Sequence, residues 1–162
     1  MIMKIDDWEF DIDLERTMRH SAVEAADHCD CAYCRNFYAT VDECYPQLRT
    51  FLAQFGLEAE APEEMFPTFI YEDSLDYMPV YIVYGKILKS GQYELDAGLC
   101  NIVPKTVDGN RDYFALNCYE ITLPWILQEP LKDVISPANE PSFLKKMWDH
   151  LLGLLKPSGP IS

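Results

Sequence analysis

The sequence predicts an α+β fold: a single domain over residues 1–162, with a mainly antiparallel sheet covered by two consecutive N-terminal helices and a C-terminal helix. Two periodicities support this prediction. Alternating apolar and polar residues are typical of strands, and apolar residues spaced three and four apart are typical of helices. Consecutive strands joined by tight turns pair antiparallel, and helices then cover a face of the sheet. With 49% hydrophobic residues, a chain of this length buries enough surface for a core without crosslinks.

The first strand is predicted around Trp8, where apolar and acidic residues alternate with a period of two. Its apolar face carries Trp8, Phe10, Ile12 and Leu14. Its exposed face is entirely acidic and carries Asp7, Glu9, Asp11, Asp13 and Glu15. Carboxylates aligned in this way create a strong negative potential, which either deters edge-to-edge aggregation or attracts a basic protein partner.

Two helices are predicted over Cys31–Thr40 and Asp42–Phe55, because apolar residues recur there at spacings of three and four. Pro46 lacks an N–H and cannot lie deep inside one helix. Asp42 is therefore predicted to cap the second helix, with Pro46 in its first turn. Gly56 is predicted to end that helix in a left-handed conformation.

Most of the sheet is predicted to lie between residues 80 and 123. Val80–Leu88 is apolar on both faces, which indicates a central strand. Asp108-Gly109-Asn110 predicts a hairpin turn, since these residue types tolerate a positive φ. A loop is predicted at Pro62–Pro67 because of its prolines. The other strands are predicted at Phe69–Glu72, Tyr93–Leu95, Leu99–Val103 and Tyr113–Leu123.

The last part of the chain is predicted to hold a connection and a helix. Four prolines between residues 124 and 141 predict an irregular connection. Asn139 followed by Glu140 and Pro141 predicts the start of the C-terminal helix, whose apolar stripe runs from Leu144 to Leu155. This helix would complete the cover of the sheet.

The chain is strongly acidic: 13 Lys and Arg residues against 27 Asp and Glu residues give a formal net charge of −14. This balance argues against a nucleic-acid binder, which needs a basic surface, and against docking on anionic membranes. The sequence has no apolar run of 18 residues and no secretory signal, so we expect a cytoplasmic protein. We also expect the six cysteines to be reduced thiols, because disulfide frameworks are typical of small secreted chains.

The most informative segment holds one imidazole and three thiols within seven residues. Thiolates and imidazoles are preferred zinc ligands, and a closed structural site needs four of them. The candidate ligands are His28, Cys29, Cys31 and Cys34. Adjacent residues seldom both bind one ion, and the sequence has no second Cys-x-x-Cys. A second pair of ligands would have to come from Cys44 with His20, or from a distant thiol such as Cys100 or Cys118.

Two further interpretations of Cys31 and Cys34 remain open. A Cys-x-x-Cys at the start of a helix has a lowered thiol pKa, and Arg35 beside it adds to that effect, so the pair could be redox-active. The segment before the pair is not the buried strand that precedes a thioredoxin-like site. Reduced thiols with a structural role alone are the interpretation that the sequence favours narrowly.

The segment Cys31-Ala-Tyr-Cys34-Arg35-Asn36-Phe37-Tyr38 resembles a family of small uncharacterised bacterial proteins marked by Cys-x-x-Cys-Arg-Asn-Phe. The resemblance covers most of the chain. It extends to Tyr45-Pro46, Phe51-Leu52, Phe55-Gly56, Gly85-Lys86-Ile87-Leu88, Leu123-Pro124-Trp125 and Glu129-Pro130. It implies a bacterial, single-domain, cytoplasmic protein, and it implies no activity.

Two classes of function are compatible with these patterns. The first, which the sequence favours, is a non-enzymatic interaction protein whose acidic surface docks or neutralises a basic partner. The alternative is a zinc-binding or thiol-redox protein centred on Cys29, Cys31 and Cys34. No catalytic acid–base pair can be assigned, so an enzyme is the less favoured prediction.

Overall fold

The computed structural model describes residues 1–131, so the predicted C-terminal helix and the connection beyond Leu131 lie outside the described residues. The described chain has three helices and an eight-stranded antiparallel sheet, which confirms the α+β class. The helices are α1 (Leu14–Ala26), α2 (Ala32–Cys44) and α3 (Pro46–Ala53). The strands are β1 (Ile2–Ile5), β2 (Trp8–Ile12), β3 (Glu64–Ile70), β4 (Ser74–Lys89), β5 (Leu95–Asp96), β6 (Asn101–Thr106), β7 (Tyr113–Tyr119) and β8 (Ile121–Pro124). None of the described helices has the length and apolar character needed to cross a membrane.

The sheet is built around β4, which contains the whole of the predicted central strand Val80–Leu88. The strand order is β1-β2-β4-β7-β6-β5, and β3 and β8 both pair with the first half of β4. Val80 pairs with Glu64 of β3 and also with Asn117 of β7. The prediction of an interior strand is therefore confirmed.

A hydrophobic core lies between β4 and helices α2 and α3. Tyr77, Tyr81 and Val83 are fully buried, and their alternation places them on one face of the strand. The ring of Phe37 from α2 packs against Tyr77 with the centroids 5.3 Å apart. The Tyr81 hydroxyl donates to the carbonyl of Ala59 at 2.6 Å, which satisfies this polar group inside the core.

The break between α2 and α3 lies at Tyr45, later in the chain than predicted. Asp42 lies inside α2, so its prediction as a helix cap is wrong. The physical reason is that the apolar stripe of α2 continues into the core through the fully buried Val41. Pro46 occupies the first turn of α3 as predicted, since its missing N–H has no helical partner there. Gly56 follows α3 with φ +76, as predicted.

Helix α1 is not predicted by the sequence, because the face that it buries is polar. Its buried residues are Thr17 and Ser21, whereas Met18 is 54% exposed. The Thr17 hydroxyl accepts the backbone N–H of Tyr84 at 3.0 Å, which ties α1 to β4. The helix therefore shows no apolar stripe, and the strand predicted from Trp8 ends at Ile12.

Strand β3 replaces a predicted loop. The strand covers Glu64–Ile70, so the loop at Pro62–Pro67 and the strand at Phe69–Glu72 are both wrong in their bounds. Among the described residues β3 pairs only with β4, and its register shifts just after Pro67. A proline is tolerated at such a bulge because no ladder bond depends on its missing N–H.

The predicted strand Tyr113–Leu123 is interrupted at Glu120, which has φ +63 and separates β7 from β8. The Tyr45 hydroxyl lies beside this break and accepts the Thr122 backbone N–H at 2.9 Å. A side chain from the helix layer thus satisfies a backbone group next to the break. The hairpin turn between β6 and β7 contains Gly109 with φ +87, in agreement with the prediction.

Replacement of Gly85 by alanine should destabilise the sheet strongly. Gly85 has φ +138, and a Cβ there would lie 2.1 Å from the Asp11 carbonyl oxygen of β2. Backbone strain of this kind costs about 1–3 kcal/mol, and displacement of β2 adds to it. We expect Gly85→Ala to lower the free energy of unfolding by about 3 kcal/mol or more in urea titrations followed by tryptophan fluorescence.

The matched control is Gly109→Ala. Gly109 also has a positive φ, but the nearest atom to its added Cβ is Arg111 Nε at 3.8 Å. Only the left-handed penalty of about 1–2 kcal/mol applies there. Equal losses of stability in the two variants would contradict the close approach of β2 to Gly85.

Candidate metal centre

Three cysteines are placed by the connection between α1 and α2 and by the first turn of α2. Cys29 lies in the connection, and Cys31 is the residue that caps α2, with extended backbone angles of φ −67 and ψ 156. The Cys31 carbonyl accepts the Arg35 N–H at 3.0 Å, which closes the first helical turn. Cys34 lies in that turn and is buried. Residues three apart at a helix start share one side, so Cys31 and Cys34 face each other as the sequence spacing predicts.

The thiols of these three residues form one compact group. The Sγ atoms of Cys29, Cys31 and Cys34 all lie within 4.8 Å of one another. Cys29 is exposed, Cys31 is half-buried and Cys34 is buried, so the group extends from the surface into the protein. The structure thus brings together three of the four candidate zinc ligands. We call them the thiol group.

His28 is not part of the thiol group. Its ring stacks on Tyr38, with the centroids 4.0 Å apart and the planes 15° apart. The more distant ligands considered from the sequence, Cys44 among them, also lie outside the thiol group. The fourth ligand predicted at His28 is therefore not supplied in this structure.

A hydrogen bond within the thiol group separates the acidities of its two helical members. The Cys34 thiol donates to the sulfur of Cys31 and lowers the pKa of Cys31 to about 5, although burial opposes this shift. The same bond, together with burial, raises the pKa of Cys34. Cys31 is therefore the more acidic of the two thiols, and Cys34 is the donor in the hydrogen bond between them.

The thiol group opens onto a cleft of about 540 Å³. Cys29 and Cys34 line it together with the rings of Tyr33 and Tyr38. The remaining lining residues include four carboxylates, those of Glu24, Asp27, Glu63 and Glu64. Burial is the main cause that raises the pKa of Tyr33 and Tyr38, and the charge of the nearby cysteines adds to it. A ligand in this cleft therefore meets sulfur, phenol and carboxylate groups.

Asn36 holds helix α2 against the segment that follows β8. Its side chain is fully buried, and its amide nitrogen donates to the Pro124 carbonyl at 2.9 Å. Its amide oxygen accepts the Ile126 N–H at 2.9 Å. The amide nitrogen also lies 3.3 Å from the Tyr77 hydroxyl, which in turn donates to the Tyr33 carbonyl. This network fixes the first turn of α2, which carries Cys34 two residues before Asn36.

Arg35 extends the same attachment at the surface. Its guanidinium pairs with Glu129 and donates through Nε to the Asp30 carbonyl at 3.0 Å. The hydrogen bond from Arg35 holds the pKa of the Glu129 carboxyl below its ordinary value. The Trp125 indole N–H donates to the Glu129 carbonyl at 2.7 Å. The bond to Asp30 tethers the connection that carries Cys29.

A second group of metal-ligating side chains is formed by His20, Glu24 and Glu63, whose ligand atoms lie within 4.8 Å of one another. His20 was considered from the sequence only as a partner of Cys44. His20 and Glu24 are four residues apart on α1, so they would have been found together had α1 been predicted. Glu63 lies 43 positions from His20, and no local pattern indicates that contact.

The acidic residues predicted to share one strand face belong to three kinds of element. Asp7 lies in the turn before β2, Glu9 and Asp11 lie on β2, Asp13 caps α1 and Glu15 lies in the first turn of α1. The single acidic face is therefore wrong, because the chain turns into a helix at Asp13. Glu9 and Glu15 also form ion pairs with basic side chains nearby. Docking of a basic partner on these residues stays a prediction.

Comparisons of the chain with models of protein families, with curated proteins and with solved structures find no match. The resemblance carried by the Cys-x-x-Cys-Arg-Asn-Phe segment is therefore neither supported nor contradicted. The structure does show that segments which carry this resemblance contact each other. Asn36 bonds to Pro124, and Arg35 pairs with Glu129.

Replacement of Asn36 by alanine should destabilise the protein far more than replacement of its neighbour Arg35. Asn36→Ala leaves the Pro124 carbonyl and the Ile126 N–H without their buried partner, at a cost of about 2–4 kcal/mol. Arg35 and Glu129 are both about half exposed, so Arg35→Ala should cost less than about 1 kcal/mol. Free energies of unfolding from urea titrations measure both values, and a larger loss for Arg35→Ala would contradict the role assigned to Asn36.

The reactivity of Cys31 should depend on pH with a midpoint near its lowered pKa. In metal-free protein the thiolate fraction of Cys31 falls as the pH drops through about 5, so alkylation by iodoacetamide should fall there. Burial raises the pKa of Cys44, which should stay unreactive until alkaline pH. Site-resolved mass spectrometry measures both rates.

Cys34→Ala tests the cause of this shift. Removing the donor thiol should move the midpoint for Cys31 upward, toward the ordinary cysteine pKa of about 8.5. An unchanged pH profile in that variant would show that the thiol–thiolate hydrogen bond does not lower the pKa of Cys31.

Proposed function

We propose that this protein binds zinc through the thiolates of Cys29, Cys31 and Cys34. The observation that carries the proposal is the compactness of the thiol group, whose Sγ atoms lie within 4.8 Å of one another. Thiolates about 2.3 Å from a zinc ion lie about 3.8 Å apart in a tetrahedron. Small side-chain adjustments thus bring the three sulfurs to ligand distance.

Two features prepare the thiol group for a metal ion. Metal ligands must be deprotonated, and the Cys34 thiol already stabilises the thiolate of Cys31. The network around Asn36 also fixes the turn that carries both residues, so less order has to be gained on binding. A bound zinc ion would take both sulfurs as thiolates and release the protons that they carry.

The fourth position of this site opens toward the cleft, because Cys29 and Cys34 both line it. His28 stacks on Tyr38 and leaves that position to water or to another ligand. Three protein ligands with one exchangeable position are typical of zinc ions that take part in binding or chemistry. The proposal is therefore a zinc site that can accept a ligand from the cleft.

A second candidate function is dithiol–disulfide exchange. It is favoured by the contrast between Cys31, which is half-buried and has a lowered pKa, and Cys34, which is buried and has a raised pKa. Cys31 would attack a substrate disulfide, form a mixed disulfide and release one substrate thiolate. Cys34, once deprotonated, would attack the Cys31 sulfur and release the second substrate thiolate. The substrate disulfide is then reduced, and Cys31 and Cys34 are oxidised to a disulfide. Zinc and this disulfide exclude each other, because both use the same sulfurs.

The zinc proposal predicts about one zinc ion per chain in untagged, reduced protein, measured by elemental analysis. Cys29→Ser should lose its zinc to a chelator at a concentration at which the unsubstituted protein keeps its zinc. Because Cys29 is exposed, its replacement removes a ligand without disturbing the core. Cys44→Ser is the matched control, since Cys44 lies on α2 but outside the thiol group, and it should keep its zinc.

Two results would overturn the zinc proposal: absence of stoichiometric zinc after reconstitution with the metal, or equal zinc loss in the two variants. Mass spectrometry of peptides would show whether a mild oxidant joins Cys31 to Cys34 in a reversible disulfide. If that disulfide forms and zinc is absent, dithiol exchange becomes the function that the results favour.

A further inference from the structure

The group formed by His20, Glu24 and Glu63 combines one imidazole with two carboxylates. His20 and Glu24 project from α1 one turn apart, and Glu63 comes from the residue just before β3. The imidazole Nε2 of His20 lies 2.6 Å from Oε2 of Glu63. One ligand atom from each residue lies within 4.8 Å of the other two. We call these residues the imidazole–carboxylate group.

Both elements that supply this group are held in place by packing. The His20 ring packs edge-on against Tyr84 of β4, with the centroids 5.4 Å apart. The backbone N–H of Glu63 donates to the Val80 carbonyl at 2.8 Å, which extends the pairing of β3 with β4. The side chains of His20 and Glu63 are 24% and 38% exposed, so the ligand atoms remain accessible. The group is therefore positioned by the sheet and stays open to solvent.

The surroundings of the imidazole–carboxylate group leave room for a metal ion. Among the described residues, no lysine or arginine pairs with its carboxylates. Glu24 and Glu63 line the cleft of about 540 Å³, and His20 and Glu63 line a neighbouring cavity of about 250 Å³. Within residues 1–131, neither Glu24 nor Glu63 forms an ion pair with lysine or arginine. Two carboxylates therefore face one imidazole, which can carry at most one positive charge.

We infer that His20, Glu24 and Glu63 form a second metal site, distinct from the thiol group, for a divalent cation that prefers nitrogen and oxygen ligands, such as Mn²⁺. Imidazole and carboxylate are ligands of this class of ion, whereas thiolates select softer ions such as zinc. The cation takes the place of the proton between His20 and Glu63 and neutralises both carboxylates. Its remaining coordination positions open into the cleft and the neighbouring cavity.

The alternative is that these residues form only an ion pair, in which protonated His20 bonds to Glu63 and Glu24 lies nearby. An ion pair needs no second carboxylate, so a cation titration that depends on Glu24 distinguishes the two.

The test uses the full chain and Mn²⁺ alone, with free Mn²⁺ measured by electron paramagnetic resonance. The original chain should show one saturable site. Glu24→Gln and His20→Gln should each weaken it tenfold or more, while circular dichroism shows that both variants are folded. Glu15→Gln removes the same charge from an exposed position on the same helix and should change the affinity less than twofold. Cys29→Ser, which disables the thiol group, should also leave Mn²⁺ binding within twofold.

Three outcomes would overturn the inference. The first is the absence of saturable Mn²⁺ binding below about 1 mM, which is the weak end of specific cation sites. The second is an equal loss of affinity in Glu15→Gln and Glu24→Gln, which would indicate general attraction to an acidic chain. The third is loss of Mn²⁺ binding in Cys29→Ser, which would place the ion on the sulfurs. Zinc content of the thiol group is measured separately, so failure here leaves the zinc proposal standing.

Discussion

The side chain of Asn36 joins α2 to the segment after β8, and the thiol group depends on that junction. A buried amide that bonds to a carbonyl on one side and an N–H on the other permits only one position of the helix on the sheet. The first turn of α2 is thereby fixed over Tyr77 of β4. Because Cys34 directly precedes Arg35 and Asn36, the sulfur positions follow from the same contacts. Arg35 then extends the attachment to the connection that carries Cys29.

The fold could be predicted from sequence where the buried faces are apolar. Val80–Leu88, which lies within β4, is apolar on both sides and is predicted as an interior strand, and Pro46 indicates that a second helix begins near it. Helix α1 could not be predicted in the same way, because it buries Thr17 and Ser21 and uses their hydroxyls to bind backbone N–H groups. A hydroxyl facing the core carries no hydrophobic signal. The break at Glu120 is not predicted for a related reason. Next to it the hydroxyl of Tyr45, at the start of α3, accepts the backbone N–H of Thr122.

Only the part of the site that is formed by residues close together in the sequence could be predicted. The spacing of Cys31 and Cys34 places them on one side of a helix start, and the structure agrees. The same proximity along the chain also predicts His28, whose ring stacks on Tyr38 outside the thiol group, and that contact depends on three-dimensional packing. His20 and Glu63 meet across 43 positions, since α1 and the start of β3 lie against the same part of β4. Contacts of that kind require the sheet topology, which local periodicity does not give.

The two groups on the cleft differ in chemistry rather than in overall charge. Salt screens interactions between exposed charges beyond about 8 Å at physiological ionic strength, so the net charge of −14 attracts cations without distinguishing them. The thiol group stabilises its own charge, because the Cys34 thiol donates to Cys31. The pKa of Glu24 is raised instead, first by burial and then by the charge of Glu63. The two groups therefore offer different ligands, sulfur in one and imidazole with carboxylate in the other, and these ligand types suit different classes of metal ion.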